Sequence, residues 1–133
     1  MKKFKLQTVA LVVFVATAFA SCSNDDDTKA PVTKTSFTTL VAGAETADIN
    51  QEISLNVTFA VDNNCGAFNK FVETSQANTK TIAVEAKYVG DNCGTTPTTK
   101  IAAYKFKSAT AGTYTLKFKK SATEFVTHTV VVD

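Results

Sequence analysis

From Ile53 to Val61 the apolar side chains fall at Ile53, Leu55, Val57, Phe59 and Val61, with Ser54, Asn56, Thr58 and Ala60 between them. Successive side chains of an extended chain point to opposite faces, so this period of two specifies a strand with one face buried. The same alternation recurs at Ile82, Val84, Ala86 and Tyr88, at Ala102, Tyr104 and Phe106, and at Tyr114, Leu116 and Phe118. Weaker runs cover 36–42, 67–74 and 125–132. Between them stand turn-forming segments: Asp62-Asn63-Asn64-Cys65-Gly66, Gly90-Asp91-Asn92-Cys93-Gly94 and Ala109-Thr110-Ala111-Gly112. About seven strands and no helix are expected. The many threonines fit, because β-branched residues suit a pleated surface. Short strands at regular spacing predict an all-β fold, an antiparallel β-sandwich over residues 36–133.

Ahead of these strands the chain changes character. Leu6 to Ala20 is apolar apart from Gln7 and two threonines, follows Lys2, Lys3 and Lys5, and runs into Ser21-Cys22. The stretch is shorter than the ~20 residues of a membrane-spanning helix. Its basic start, short apolar centre and small residues before the cut describe a secretory signal peptide over residues 1–21. Phe19-Ala20-Ser21-Cys22 resembles the bacterial lipoprotein signal, in which the cysteine thiol takes a diacylglycerol thioether and then becomes the new amino terminus. Ser23-Asn24-Asp25-Asp26-Asp27 in turn looks like the surface-export signal of Bacteroidota lipoproteins. The resemblance covers residues 1–27. It implies an outer-membrane protein held by a lipid anchor such as palmitate on Cys22, facing the outside, with Ser23, Asp25, Asp26 and Asp27 as its export signal. Residues 22–35 are too polar to offset the entropy of ordering and read as a flexible acidic tether. The same acidic run would hold the domain off an anionic membrane.

Residues 22–133 suffice for one domain and one core. Loss of Lys2, Lys3 and Lys5 takes the lysines from 14 to 11 against 12 acidic residues, so the processed chain is nearly neutral. It contains no arginine, the side chain that grips phosphate and guanine bidentately, and the lysines are scattered; nucleic acid is excluded as an expected partner. With Cys22 committed to lipid, Cys65 and Cys93 remain, and an exported chain crosses an oxidising compartment where such a pair closes. A bridge across this loop is worth ~3–4 kcal/mol on the chain-entropy estimate.

Two details point the sandwich toward the immunoglobulin-like type. Ala111-Gly112-Thr113-Tyr114 resembles the tyrosine corner, in which a Tyr early in the sixth strand bonds back to the backbone just upstream; Tyr114 is the candidate. With seven strands lettered A to G, Cys65 lies in the B–C connection and Cys93 in the D–E connection, which share one end of such a sandwich. The bridge is therefore feasible, although it is not the B–F bridge of antibody domains, and their core tryptophan is absent too.

The chain offers little for catalysis. His128 is the single histidine and sits within a β-run, and no Gly-x-Ser-x-Gly elbow exists. Cys65, Cys93 and His128 give three zinc ligands without Cys-x-x-Cys spacing, in competition with the disulfide. Asp62, Asn63 and Asp91 could offer oxygens to calcium, yet Asn and Gly are also what a tight turn requires. Glu73 and Glu85 lie on separate strands with no glycosidase motif. No cofactor and no metal are expected. Phe68 and Phe71, three apart, would point to opposite faces of a regular strand, so either one ring is outward or a bulge intervenes; an outward ring is the candidate contact residue. The expectation is a non-enzymatic surface protein that binds a protein or glycan ligand or serves an envelope assembly. The alternatives are a small secreted hydrolase, which needs His128 and a carboxylate in one pocket, and a glycan-binding accessory module.

Overall fold

A computed structural model describes residues 29–133; the segment 1–21 read as a signal peptide, Cys22 and the acidic run Asp25–Asp27 lie outside the described residues. Nine strands form, and no helix among the described residues: β1 (Val32–Ser36), β2 (Thr38–Gly43), β3 (Thr46–Ala47), β4 (Ile53–Val61), β5 (Gly66–Gln76), β6 (Thr79–Tyr88), β7 (Thr98–Phe106), β8 (Gly112–Lys119) and β9 (Phe125–Val132). They build two sheets. The smaller has the order β2-β4-β7; the larger runs β1-β6-β8-β9-β3, with β5 also on β6.

The alternation at Ile53–Val61 explains how the sheets meet. Leu55, Val57 and Phe59 of β4 are fully buried and join Tyr104 and Phe106 of β7. Across from them the larger sheet contributes Ile82, Val84, Leu116, Phe118, Val130 and Val132 to the same core. Truncating a ring such as Phe59 to Ala would cost ~3–5 kcal/mol, because the cavity refills only partly.

Several features differ from the sequence expectation. The count is nine rather than about seven. The run expected at 36–42 is a strand that changes sheets: β1 pairs with β6 through Val32↔Tyr88 to Ser36↔Val84, and after Phe37 the chain continues as β2 beside β4. Residues 32–35, which composition groups with the tether, are thus the start of the fold. Their polarity is accounted for by exposure, since Ser36 is the one buried residue of β1. The two-residue β3 is too short to leave a periodic signal.

The sheets are also not wholly antiparallel. β6 runs parallel to β8 from Thr79↔Thr115 to Ile82↔Phe118, and β3 runs parallel to β9. The β6–β8 pairing follows from the tight turn at Ala77-Asn78, which folds β6 back along the whole of β5. β5 occupies one edge of β6, leaving the other edge to β8 and β1 end to end. β6 therefore stands between β5 and β8, where an immunoglobulin sheet would place the third strand against the sixth.

Candidate functional site

The strands run between two ends. At one end lie the β4–β5 connection, the β6–β7 connection and the entry of the chain at Val32. Cys65 and Cys93 are joined there in a disulfide, with Cα atoms 5.1 Å apart. Asn63 shapes the adjoining turn: its side-chain oxygen accepts from the Cys65 amide (3.1 Å) and its carbonyl from the Gly66 amide (3.1 Å). The Asp62 amide donates to the Tyr88 hydroxyl at 3.0 Å. Both acids at this end have lysine partners, Lys34 to Asp62 at 2.8 Å and Lys29 to Asp91 at 4.0 Å. The oxygens considered for calcium are thus engaged in turns and ion pairs, and no group of three metal-ligating side chains occurs among the described residues.

Phe68 and Phe71 resolve by the second of the two alternatives. The β5–β6 register shifts between Phe68 and Lys70, and the extra residue Asn69 turns both rings onto the core face. Phe68 packs 4.7 Å from Phe71 between ring centroids, and Phe71 meets Tyr104 edge-on at 5.2 Å. Neither ring is an outward contact residue, which corrects that expectation. The physical reason is the bulge, which returns residues three apart to one side.

At the seam between β5 and β7 the Tyr104 hydroxyl donates to Glu73 Oε2 at 2.5 Å, and Lys80 donates to Oε1 at 3.2 Å. The Tyr104 bond holds the Glu73 carboxyl below its ordinary range against the opposing effect of burial, with Lys80 adding to it. Burial, and then the carboxylate beside it, push the Tyr104 phenol above its usual value. Glu85 belongs to the opposite face, where it accepts from Asn69 at 2.6 Å. The two carboxylates therefore do not flank a common space. His128 in β9 places Nε2 3.0 Å from the Ala44 carbonyl.

The other end carries the β5–β6 turn, the β7–β8 loop and the segment between β2 and β4. Tyr114 donates its hydroxyl to the Thr110 carbonyl (3.0 Å) and accepts from the Ser108 hydroxyl (2.7 Å), which fixes the β7–β8 loop to the start of β8. On the outer face beside the β5–β6 turn is a cavity of about 340 Å³, lined by Thr74, Ser75, Gln76, Thr79 and Thr81. Thr74 stands opposite Thr81 and Gln76 opposite Thr79, so the lining consists of two cross-strand pairs and the residue between them. Sequence reasoning missed this cavity, because threonines on a strand read as surface propensity. Ala77, in the turn that closes it, has φ 50°, a conformation costly for a residue with a Cβ. No family model, curated protein or solved structure matches the chain.

Proposed function

We propose that the protein is a lipid-anchored, outer-membrane protein of the cell surface whose single β domain works by contact and not by catalysis. What carries the reading is the junction of anchor and domain. Phe19-Ala20-Ser21-Cys22 followed by Ser23 and Asp25–Asp27 supplies the address, and the chain enters the domain at the disulfide end, where Val32 pairs with Tyr88 and Lys29 reaches Asp91. An anchor at Cys22 thereby ties the membrane to that end. The ten residues from Cys22 to Pro31 could span at most ~36 Å when fully extended. The far end, with the β5–β6 turn, is then the one displayed.

Contact is favoured over hydrolysis by what the reactive side chains are doing. The two thiols of the domain are joined, Glu73 is held between Tyr104 and Lys80, and His128 faces the Ala44 carbonyl. The domain is read as a variant of the immunoglobulin-like sandwich. Three features support that: the β2-β4-β7 sheet, the β8–β9 hairpin and the backward bond of Tyr114. The place of β6 beside β8 is its departure.

Two variants test the address. Cys22→Ser should leave an unlipidated precursor that is lost from the outer-membrane fraction, and a mutant that still fractionates fully with that membrane contradicts the anchor. Replacing Asp25, Asp26 and Asp27 with Ala should protect the domain from protease added to intact cells. Equal shaving of variant and wild type would reduce the acidic run to a spacer.

A further inference from the structure

We infer that the cavity beside the β5–β6 turn is a binding site for a neutral carbohydrate chain. The inference rests on the contact reading above and names its ligand class.

The chemistry of the lining is the first reason. Thr74, Gln76, Thr79 and Thr81 present hydroxyl and amide groups that both donate and accept, and no lining residue is charged. A ligand matching that surface is itself uncharged and rich in groups that donate and accept at once, as a sugar is. The lining has no Trp, Tyr, Phe or Arg, the side chains that anchor protein partners, so a peptide would find no hot spot there.

The second reason is spacing. Outward side chains two apart on a strand stand ~6.7 Å apart, and neighbouring strands ~4.8 Å. Two rows of polar groups extend the cavity across the sheet in register. The first runs Gln76, Thr79, Thr115 and Thr129; the second runs Thr74, Thr81, Lys117 and Thr127. The rows suit an extended chain of sugar rings lying across β5, β6, β8 and β9, with one ring seated in the 340 Å³ cavity. Lys117 is the single charged member of the two rows, and it lies outside the cavity.

The third reason is position. The cavity lies at the end opposite to the chain entry and the disulfide, the end that an anchored molecule displays.

The test uses the full-length chain in a detergent without a sugar head group, titrated calorimetrically with maltohexaose, cellohexaose and mannohexaose. Polygalacturonate and dextran sulfate serve as acidic comparators. At least one neutral hexamer should bind. The double substitution Thr79→Val and Thr81→Val, which removes two hydroxyls while keeping the β-branched shape, should weaken that binding ~10-fold. Thr33→Val with Thr35→Val, on the same outer face but in β1, should leave it unchanged, and the melting midpoints of both variants show that the fold is kept. The inference is overturned if none of the neutral hexamers binds, if only the acidic chains bind, or if the variants at Thr79 and Thr81 bind as wild type does. Because the titration uses purified protein, its failure is distinct from failure of the surface address, which the fractionation and shaving experiments report.

Discussion

The two ends of this sandwich are built on opposite plans. At the entry end a disulfide joins Cys65 to Cys93, Lys34 and Lys29 pair with Asp62 and Asp91, and Asn63 closes its turn with two backbone amides. At the far end the β5–β6 turn has no covalent tie, and the ion pair nearest to it, Lys80 to Glu73 at 3.2 Å, belongs to the seam with β7; the turn itself depends on ladder bonds and on the Thr115 amide donating to the Asn78 carbonyl at 2.9 Å. There the chain tolerates a positive φ at Ala77 and leaves an uncharged cavity open. The contrast shows how a small domain can divide its stabilising interactions. Rigidity concentrated at the disulfide end lets the far end remain shallow and polar without loss of the fold.

The comparison can be broken most forcefully at the disulfide. Changing Cys65 and Cys93 together to Ser should cost ~2–5 kcal/mol and lower the melting midpoint by ~4–8 °C per kcal/mol, with the strand signal at room temperature retained. The core of Leu55, Val57, Phe59, Leu116 and Phe118 does not depend on the bridge. A midpoint that does not move would show that the entry end is held by something else. A smaller loss is expected from Gly90→Ala, since Gly90 has φ +114° beside the bridge; ~1–3 kcal/mol is the cost of forcing a side chain into such a backbone. Denaturant midpoints at constant slope measure it.

Between the ends, Tyr104→Phe should cost ~1 kcal/mol at neutral pH through loss of the bond to Glu73. The Glu73 carboxyl titrates lower in the folded chain than its ordinary value of 4.5, so its contribution is present above that pH and is lost as pH falls through the folded value. The difference in melting midpoint between wild type and Tyr104→Phe should therefore persist at pH 4.5 and above and shrink as acidification carries the solution below it. A difference that stays constant down to pH 2 would mean that the phenol contributes only by packing. The smallest effect belongs to the far end and has the opposite sign. Ala77→Gly should raise stability by ~0.5–1 kcal/mol, because glycine accepts a positive φ without a Cβ clash. Destabilisation by Ala77→Gly would contradict the turn geometry.

How much of this was legible in the sequence depended on whether the signal was local. β4 runs over the residues its alternation predicts, since each side chain reports its own face. The Cys65–Cys93 bridge was accessible because counting left a single pair. β7 begins at Thr98, ahead of its visible alternation, because Thr98-Thr99-Lys100 carries little apolar contrast. β1 was hidden by polarity on both faces. The bulge at Asn69 was no more than one of two options, since a backbone insertion leaves no mark in composition. The parallel pairing of β6 with β8 was not legible at all, because periodicity tells a strand which face is buried and not which neighbour lies beside it. The cavity was missed for a related reason: Thr74, Thr79 and Thr81 gain meaning only once register sets them side by side.

Native-state hydrogen exchange along β5 tests the two-ended plan most directly, since this one strand runs from the disulfide to the far turn. The hydrogen-bonded amides within Gly66–Phe68 should exchange at rates set by global unfolding, and those within Thr74–Gln76 at least about tenfold faster through local opening. Reduction of the disulfide should remove most of that difference. Equal protection at both ends of β5, or a gradient that survives reduction unchanged, would contradict the account.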